Sequence, residues 1–362
     1  MLELKFEKME VLCLDLKQKL KEITALSGIS GNEDTLTSRL ADEFRPFCDD
    51  VRVDKFYNVI AVKKGFGENK KKVLCIAHSD EIGFIVKKIE DGGFLRVSNI
   101  GGIDPKILPA SEVIIHGKEK YLGIIGAKPP HLLKEEDAKK AVKIKDLLVD
   151  TGFSKESLEK KVKIGDPITF KSMPVELEKG RLSTKAMDDR AGVVTLIKAA
   201  KDLTNIKHEN DVIFVASVQE EVGLRGAVLN AYNINPDFAI VVDVGFGAFP
   251  EAPKHDVHPL GKGPAIGVGP NMHKKSTKKM MELAKEFNIP YRVDIEPGAT
   301  GTEANAVQVS REGIPTILMS IPIRYMHTTI ETICINDVKN TAALMAKFSS
   351  MSSEEMEGCR CI

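Results

Sequence analysis

The chain has 362 residues, of which 43% are hydrophobic and 29% are charged, a composition typical of a soluble globular protein with about two domains. Its 52 Lys and Arg residues balance its 52 Asp and Glu residues, so no net basic field attracts nucleic acid or anionic lipid. No apolar run approaches the roughly 18 residues that a membrane span needs. The composition therefore excludes nucleic-acid and membrane partners.

The two ends of the chain and its cysteines predict a cytoplasmic protein. Residues 1–22 have the apolar spacing of an amphipathic helix and lack the apolar core of a signal peptide. The terminal "CRCI" has the outline of a prenylation site, but Arg360 stands where an aliphatic residue is usual, so a frayed polar tail is favoured. The dispersed cysteines predict free thiols in a reducing compartment: Cys13, Cys48, Cys75, Cys334, Cys359 and Cys361.

The first third of the chain predicts strands in "FYNVIAVKK" (56–64) and "KVLCIAHSD" (72–80), separated by a Gly- and Asn-containing turn. The middle of the chain has a different pattern of predicted elements. Residues 83–177 contain the β-like stretches "FLRVSNI", "SEVIIHG", "YLGIIGA" and "DPITFK", together with a lysine-rich segment, 134–150, that predicts a helix. We therefore expect an inserted, mostly β domain at 83–177, within a discontinuous domain formed by 1–82 and 178–362.

The last third alternates helices with short apolar strands. "MDDRAGVVTLIKAAKDL" begins a helix at its acidic end, and the amphipathic segments 277–288 and 336–350 predict two more. Three apolar runs have the character of strands buried on both faces: "DVIFVASV", "FAIVVDV" and "PTILMSIPI". Together these elements predict an α/β sandwich.

Ligand-type side chains follow four of the predicted strands. In open α/β sheets the carboxyl ends of the strands form the crevice where ligands bind, so we expect these side chains to meet. Two histidines with several carboxylates suit Zn, Co or Mn, and they do not resemble a thiolate structural zinc site. The predicted metal ligands are His78, Asp188, Glu221, Asp243 and His327.

Local spacing assigns two further roles. His78 and Asp80 lie two residues apart, so in extended chain they point to the same side, and the Asp80 carboxylate is placed to accept the imidazole N–H. The adjacent Glu220 and Glu221 face different directions unless the strand ends there. One carboxylate then coordinates metal while the other acts as the general base of a hydrolase.

These motifs resemble those of the M42 family of metallo-aminopeptidases, the tetrahedral or glutamyl aminopeptidase group. "AHSDEIG", "KAMDDRAG", "QEEVGLRGA", "VVDVG" and "PIRYMHT" occur in the family's order and approximate spacing. "SGISGNED", "NIGGIDPKILP", "IIGAKPPHLL" and "LGKGPAI" extend the similarity over nearly the whole chain.

The resemblance implies a zinc-exopeptidase-like three-layer sandwich around a mixed sheet, with a PDZ-like dimerisation domain as the insert. It implies two divalent ions per subunit, with Zn or Co expected. His78, Asp188 and Asp243 hold one ion, and Asp188, Glu221 and His327 hold the other. Glu220 is the implied general base and Asp80 the carboxylate behind His78.

The resemblance also implies the partners. The substrates are peptides with a free N-terminus, and the assembly is a tetrahedral dodecamer built from dimers. The chain departs from the family pattern at Glu303, where Asp is usual, at Tyr57, where Gly is usual, and at Thr328, where Ser is common. None of these is an implied ligand.

Two alternatives stay open. A glycoside hydrolase also uses a pair of carboxylates in a cleft, but that chemistry has no use for two histidines and a bridging aspartate. An inactive, self-assembling binding protein is the other alternative, although such a protein is expected to have lost a ligand or the base. The remaining histidines are interpreted as structural: His116, His131, His208, His255, His258 and His273. The preferred N-terminal residue is not predicted.

Overall fold

A computed structural model describes residues 14–132, 141–171, 173–253 and 256–360. Its strands are β1 Asp50–Val53, β2 Val59–Lys63, β3 Lys72–His78, β4 Gly83–Ile89, β5 Phe94–Ile100, β6 Glu112–His116, β7 Lys120–Gly126, β8 Leu148–Asp150, β9 Pro167–Phe170, β10 Val175–Leu177, β11 Arg181–Thr184, β12 Asp211–Ser217, β13 Phe238–Phe246, β14 Ala265–Val268, β15 Arg292–Ile295, β16 Thr316–Ile323 and β17 Glu331–Cys334.

The helices alternate with these strands in the first and last parts of the chain. They are α1 Leu16–Ala25, α2 Asp34–Phe44, α3 Lys155–Glu159, α4 Met187–Asp202, α5 Arg225–Ile234, α6 Lys274–Glu286, α7 Ala304–Val307, α8 Ile335–Ser349 and α9 Ser353–Gly358. The predicted N-terminal helix is present from Leu16 onward. The described residues do not include the first part of that predicted helix. They also exclude Cys13, His255 and the last two residues of "CRCI", Cys361 and Ile362.

Eight strands form the central sheet in the order β1-β2-β12-β3-β13-β16-β14-β15. The four central strands β12, β3, β13 and β16 run parallel, whereas β2 and β14 pair with them antiparallel. The mixed α/β sheet is therefore confirmed. The interiors of the parallel strands are mostly apolar, as expected for strands that are covered on both faces.

The two faces of the sheet belong to different hydrophobic cores. Val73, Cys75 and Phe214 pack in the larger core with residues of α1, α2, α4, α6 and α8. Leu74 and Val215, which alternate with them along the strands, pack with residues of α5 and α7. Helices thus cover both faces of the sheet, which gives three layers.

Residues 83–170 contribute a separate closed barrel with the strand order β4-β5-β8-β7-β6-β9. The barrel has its own core, in which Phe84 and Phe170 meet edge to face with ring centroids 5.4 Å apart. The helix predicted for 134–150 is wrong over its second half, where a 3-10 turn at Ile144–Asp146 leads into β8. Residues 134–140 of that segment lie outside the described residues. A small antiparallel sheet, β10-β11-β17, follows the barrel.

Candidate active site

The predicted ligands meet where the central strands diverge. His78 is the last residue of β3, and its register partner Ser217 is the last residue of β12. Asp243 was predicted to follow its strand but lies inside β13, three residues before that strand ends. The pairing of β13 with β3 stops at Val241, which is opposite Ile76, so the same register places Asp243 level with His78.

Asp188 stands between the two histidines. Its Oδ1 lies 3.0 Å from Nε2 of His78, and its Oδ2 lies 3.3 Å from Nε2 of His327. The His327 Nε2 is also 3.5 Å from Oε1 of Glu221. One carboxylate therefore presents a separate oxygen to each side of the site, which is the arrangement that a residue bridging two ions needs.

Three groups of ligand atoms lie within 4.8 Å of one another, and each group is compact enough for one ion. The groups are His78, Asp188 and Asp243; Asp188, Glu221 and His327; and His78, Glu220 and Glu221. The structure therefore brings together all five predicted ligands and the predicted base.

The electrostatics of this cluster fit divalent cations. Burial and the nearby Asp188 charge raise the pKa of Glu221 to about 10, and burial also raises the pKa of Glu220 and Asp243. Burial disfavours the charged form of His78, but its contacts with Asp188 and Asp80 outweigh that and raise its pKa. Carboxylates crowded into a buried site repel one another. Divalent ions would remove that penalty, so the chemistry of the donor set suits them.

Glu220 and Glu221 lie in a turn after β12, and that turn is held by buried carboxylates. Gln219 has a left-handed φ of 57°, which lets the chain leave the direction of the strand. The backbone N–H of Gln219 donates to Oε1 of Glu33 at 3.2 Å. Those of Glu220 and Glu221 donate to Oδ1 and Oδ2 of Asp80 at 3.0 and 3.2 Å. Three successive N–H groups are thus fixed, and we call this arrangement the carboxylate clamp.

Asp80 was predicted only to accept the imidazole N–H of His78, but its contacts in the structure are more extensive. Its Oδ1 lies 3.5 Å from Nδ1 of His78, which is longer than an N–H···O hydrogen bond. Its Oδ2 also accepts from the Ser30 hydroxyl at 2.6 Å. Asp80 therefore orients the Glu220–Glu221 turn as well as standing beside His78.

Glu331 is a site residue that the sequence reasoning missed. It is buried at the start of β17, where Oε1 accepts from the His327 backbone N–H at 2.8 Å and Oε2 accepts from that of Asp188 at 3.1 Å. Burial raises the pKa of this carboxyl well above its ordinary value. A glutamate at the start of the apolar run "ETICI" is the signal that could have identified it.

The beginning of α4 is built around two aspartates. Asp188 has the extended φ and ψ of an N-cap residue, but its carboxylate oxygens face His78 and His327. Asp189 accepts from the Gly192 backbone N–H at 2.9 Å. A Cβ on Gly192 would clash with the Asp189 carboxylate, so any larger residue there requires that side chain to move.

A buried charge cluster anchors the same helix. Arg190 is fully buried, and its guanidinium donates to the carbonyls of Ser79, Ile23, Thr24 and Leu26. Its Nη2 lies 3.1 Å from Oε1 of Glu81, whose other oxygen lies 2.5 Å from Nζ of Lys185. Arg190 thereby ties α4 to the chain before α2 and to the segment after β3.

The cluster opens into a cavity of about 480 Å³. Besides the predicted ligands and Glu220, its walls are formed by Gly102, Val244, Gly245, Phe246, Asp294, Glu296, Gly301, Thr302, Ser320 and Met326. Gly102 comes from the barrel segment, and a Cβ there would lie 3.2 Å from Nδ1 of His327. The barrel therefore supplies part of the wall.

His116, His208 and His273, interpreted as structural, are not part of the cavity lining, whereas His258 contacts the lining residue Asp294. His116 contacts the hydroxyls of Ser27 and Thr169, and Nδ1 of His208 contacts the Asn210 carbonyl. The His273 side chain caps α6.

An α/β sheet with a histidine–carboxylate cluster at its strand ends is an arrangement typical of metal-dependent hydrolases. A family model described as M42 glutamyl aminopeptidase matches residues 57–344, so the chain belongs to the M42 family of peptidases. The resemblance found in the sequence is thereby confirmed. The family consists of hydrolases that act on peptide bonds.

Individual relatives agree over most of the chain. The lysyl aminopeptidase of Pyrococcus furiosus is 39% identical over 330 residues, which cover 90% of this chain and 94% of that one. An aminopeptidase structure from Desulfurococcus kamchatkensis has a TM-score of 0.89 at 35% identity, covering 96% of this chain and 98% of that one. The TET1 peptidase of Pyrococcus horikoshii has a TM-score of 0.82 at 35% identity, covering 92% and 99%. The activity that these comparisons support is removal of N-terminal residues from peptides.

Proposed function

We propose that this aminopeptidase acts with two divalent ions, with Zn or Co expected, held by His78, Asp188, Asp243, Glu221 and His327. The observation that supports this most strongly is the position of Asp188, whose two oxygens face Nε2 of different histidines. The glycoside-hydrolase alternative is not favoured, because it gives the histidines no role.

The protein's own residues then divide the work. Bound ions supply the positive charge that polarises the substrate carbonyl and acidifies the attacking water. Glu220 accepts the proton of that water and returns it to the leaving amine nitrogen. Asp80 and Glu33 hold the backbone of the turn, so the Glu220 carboxylate stays oriented toward the cavity.

The number of ions is tested by elemental analysis of Asp188→Ala beside the wild type. Because Asp188 belongs to both ligand groups, its loss is expected to remove both ions. An Asp188→Ala protein that retains two ions contradicts the bridging role.

The reaction is tested by stripping the protein with EDTA and restoring Zn²⁺ or Co²⁺. Aminoacyl p-nitroanilides with a free amine should then be cleaved, and an N-acetylated leucine substrate should not. Glu220→Gln is expected to keep its ions and lose most of its turnover, roughly 100-fold or more. A variant with wild-type kcat and metal content would show that another group is the base.

We propose further that residues 83–177 form a domain inserted into 1–82 and 178–362, and that this domain dimerises the protein in a PDZ-like manner. Its separate core and closed barrel support this division. Exposed apolar side chains on the barrel strand β7, Leu122 and Ile124, offer a contact surface. Leu122→Lys with Ile124→Lys should yield smaller particles in native mass spectrometry if that surface is used.

The assembly proposed is a homo-oligomer, a tetrahedral dodecamer built from dimers. The Pyrococcus horikoshii TET1 peptidase is described as assembling into a tetrahedron or a large octahedral shell. Electron microscopy of purified particles distinguishes twelve subunits from a dimer or a larger shell.

A cytoplasmic location is the remaining proposal. No helix in the described part of the chain is long and apolar enough to cross a membrane. Among the described residues, the cysteines are free thiols: Cys48, Cys75, Cys334 and Cys359. Cell fractionation would test the location.

A further inference from the structure

The cavity contains two carboxylates that the proposed chemistry does not use. Asp294 lies in β15, and Glu296 is the first residue after that strand. Both line the same cavity as His78, Glu220 and His327. Any residue bound for cleavage occupies this space, so these two carboxylates are placed to meet part of it.

The sheet register shows where the pair stands relative to the metal site. Asp243 pairs with Ser320 of β16, which pairs with Ala265 of β14, which pairs with Arg292 of β15. Asp294 lies two residues further along β15, on the same sheet face as Asp243. Three strand spacings separate β13 from β15, roughly 14 Å between the backbones. A group that contacts Asp294 or Glu296 must therefore reach well away from the metal site.

The charge of this end of the cavity is negative. Among the described residues no Lys or Arg lines the cavity. The Asp294 Oδ1 lies 3.2 Å from Nε2 of His258, whereas Glu296 has no ion-pair partner among the described residues. Burial and the neighbouring Asp294 raise the pKa of Glu296, as expected for a carboxylate without a balancing cation.

The cavity lining is also partly apolar. Phe246, Val244 and Met326 belong to it, and the Phe246 side chain is 61% exposed. Lysine and arginine combine a long aliphatic stem with a cationic head, and they bury the stem along apolar surface while the head meets polar groups. A cavity that combines apolar lining with two carboxylates and no Lys or Arg among its described lining residues matches that shape.

From these observations we infer that Asp294 and Glu296 select substrates whose N-terminal residue is lysine or arginine. The inference rests on the proposed aminopeptidase function and names its substrate class. The names of similar proteins do not decide this point, since the family is described as glutamyl and one relative as lysyl. A glutamate side chain would face repulsion from the same two carboxylates.

The rival role for the pair is to hold the α-ammonium of every substrate. That nitrogen is two bonds from the carbon that is attacked, so it must bind close to the ions. The strand spacing places Asp294 and Glu296 further away. The two roles also differ in outcome, because an α-ammonium site affects all substrates equally, whereas a side-chain site affects only the cationic ones.

The test compares kcat/KM for lysyl, arginyl, norleucyl, leucyl and glutamyl p-nitroanilides in the Co²⁺-loaded full-length protein. Norleucine keeps the aliphatic stem of lysine and lacks its charge, so the Lys/norleucine ratio isolates the cation. We expect a ratio of about tenfold or more in the wild type, as for a charge-assisted contact. Asp294→Asn with Glu296→Gln should bring the ratio close to one while norleucine cleavage stays within about twofold.

A control variant and three outcomes complete the design. Glu282→Gln on α6 removes one negative charge outside the cavity lining and should leave the ratio unchanged. Equal loss for all substrates in the double variant overturns the inference in favour of α-ammonium binding. A wild-type ratio near one overturns it while leaving the aminopeptidase function intact. If no free-amine substrate is cleaved, the proposed function itself fails.

Discussion

Replacing Asp80 by Asn is the perturbation that tests the carboxylate clamp. Each oxygen of Asp80 accepts a backbone N–H, Oδ1 from Glu220 at 3.0 Å and Oδ2 from Glu221 at 3.2 Å. An asparagine offers one oxygen and one NH2 group. Whichever way the amide is turned, an N–H group faces another N–H group, and one charge-assisted hydrogen bond is lost.

The expected effect appears in metal affinity and turnover together. Loss of a carboxylate that orients metal ligands typically weakens metal binding by about 10- to 100-fold, or about 1.4 to 2.7 kcal/mol. Because Asp80 also fixes the turn that carries Glu220 and Glu221, kcat should fall even when the ions are saturating. Zn²⁺ affinity is measured by competition with a chromogenic chelator, and kcat with the best substrate of the panel.

Ser30→Ala is the matched control, since it removes a single neutral donor from Oδ2 of Asp80 and keeps the carboxylate. Its affinity for Zn²⁺ should stay within about threefold of the wild type. An Asp80→Asn protein with wild-type Zn²⁺ affinity and kcat would refute the clamp.

Two further predictions concern stability, measured by urea unfolding of the EDTA-stripped protein. Burial raises the pKa of Glu303 to about 8, so the folded state keeps a proton that the unfolded state releases near pH 4.5, and this group lowers stability as pH rises from about 4.5 to 8. Glu303→Gln should remove this pH dependence. The free energy of unfolding of the variant, relative to the wild type, should therefore rise between about pH 4.5 and 8 and stay constant above about pH 8. Parallel pH profiles for the two proteins would contradict this. Arg190→Met leaves Glu81 with one cationic partner and several carbonyls unpaired, so it should cost about 3 to 5 kcal/mol, whereas Arg190→Lys should cost less because it keeps the charge. A loss below 1 kcal/mol in Arg190→Met would show that the cluster contributes little.

The regular elements of the central sheet could be predicted because their apolar runs are long and uninterrupted. "DVIFVASV" and "PTILMSIPI" became β12 and β16 with bounds shifted by a residue at most. The helix predicted up to residue 150 was wrong, because the lysines of this segment have the spacing of a solvated helix face. The barrel strand β8 is too short to show a clear alternation of apolar and polar residues.

The sequence predicted the ligand-type side chains of the candidate site but not the hydrogen bonds that hold them in place. His78, Asp188 and His327 carry ligand chemistry at recognisable positions in the sequence. The backbone contacts of Asp80, Glu33 and Glu331 join positions that are distant in the chain, and no local pattern encodes them. For example, the contact between Glu220 and Asp80 spans 140 residues.

The structure shows what is unusual about the backbone at Tyr57. The sequence marked it as a departure from the usual glycine. Its φ is 71°, in the left-handed region that glycine adopts without strain. The side chain is half exposed and follows Asp54, whose carboxylate accepts from the backbone N–H of Phe56 and Asn58. The turn at Tyr57 is thus held by the neighbouring Asp54.

The barrel enters and leaves the rest of the chain through neighbouring strands. β4 begins it, β9 ends it, and the two are paired at Phe84–Ile168 and Ile85–Pro167, so the junctions lie about one strand spacing apart. Such a module is easily exchanged between relatives in a chimera, because a single short connection can close the gap. The loop that carries Gly101 and Gly102 travels with it, however, and a Cβ on Gly101 would lie 3.1 Å from Oε2 of Glu221. A swapped barrel therefore brings a new wall for the active site, so substrate preference is expected to change with the barrel.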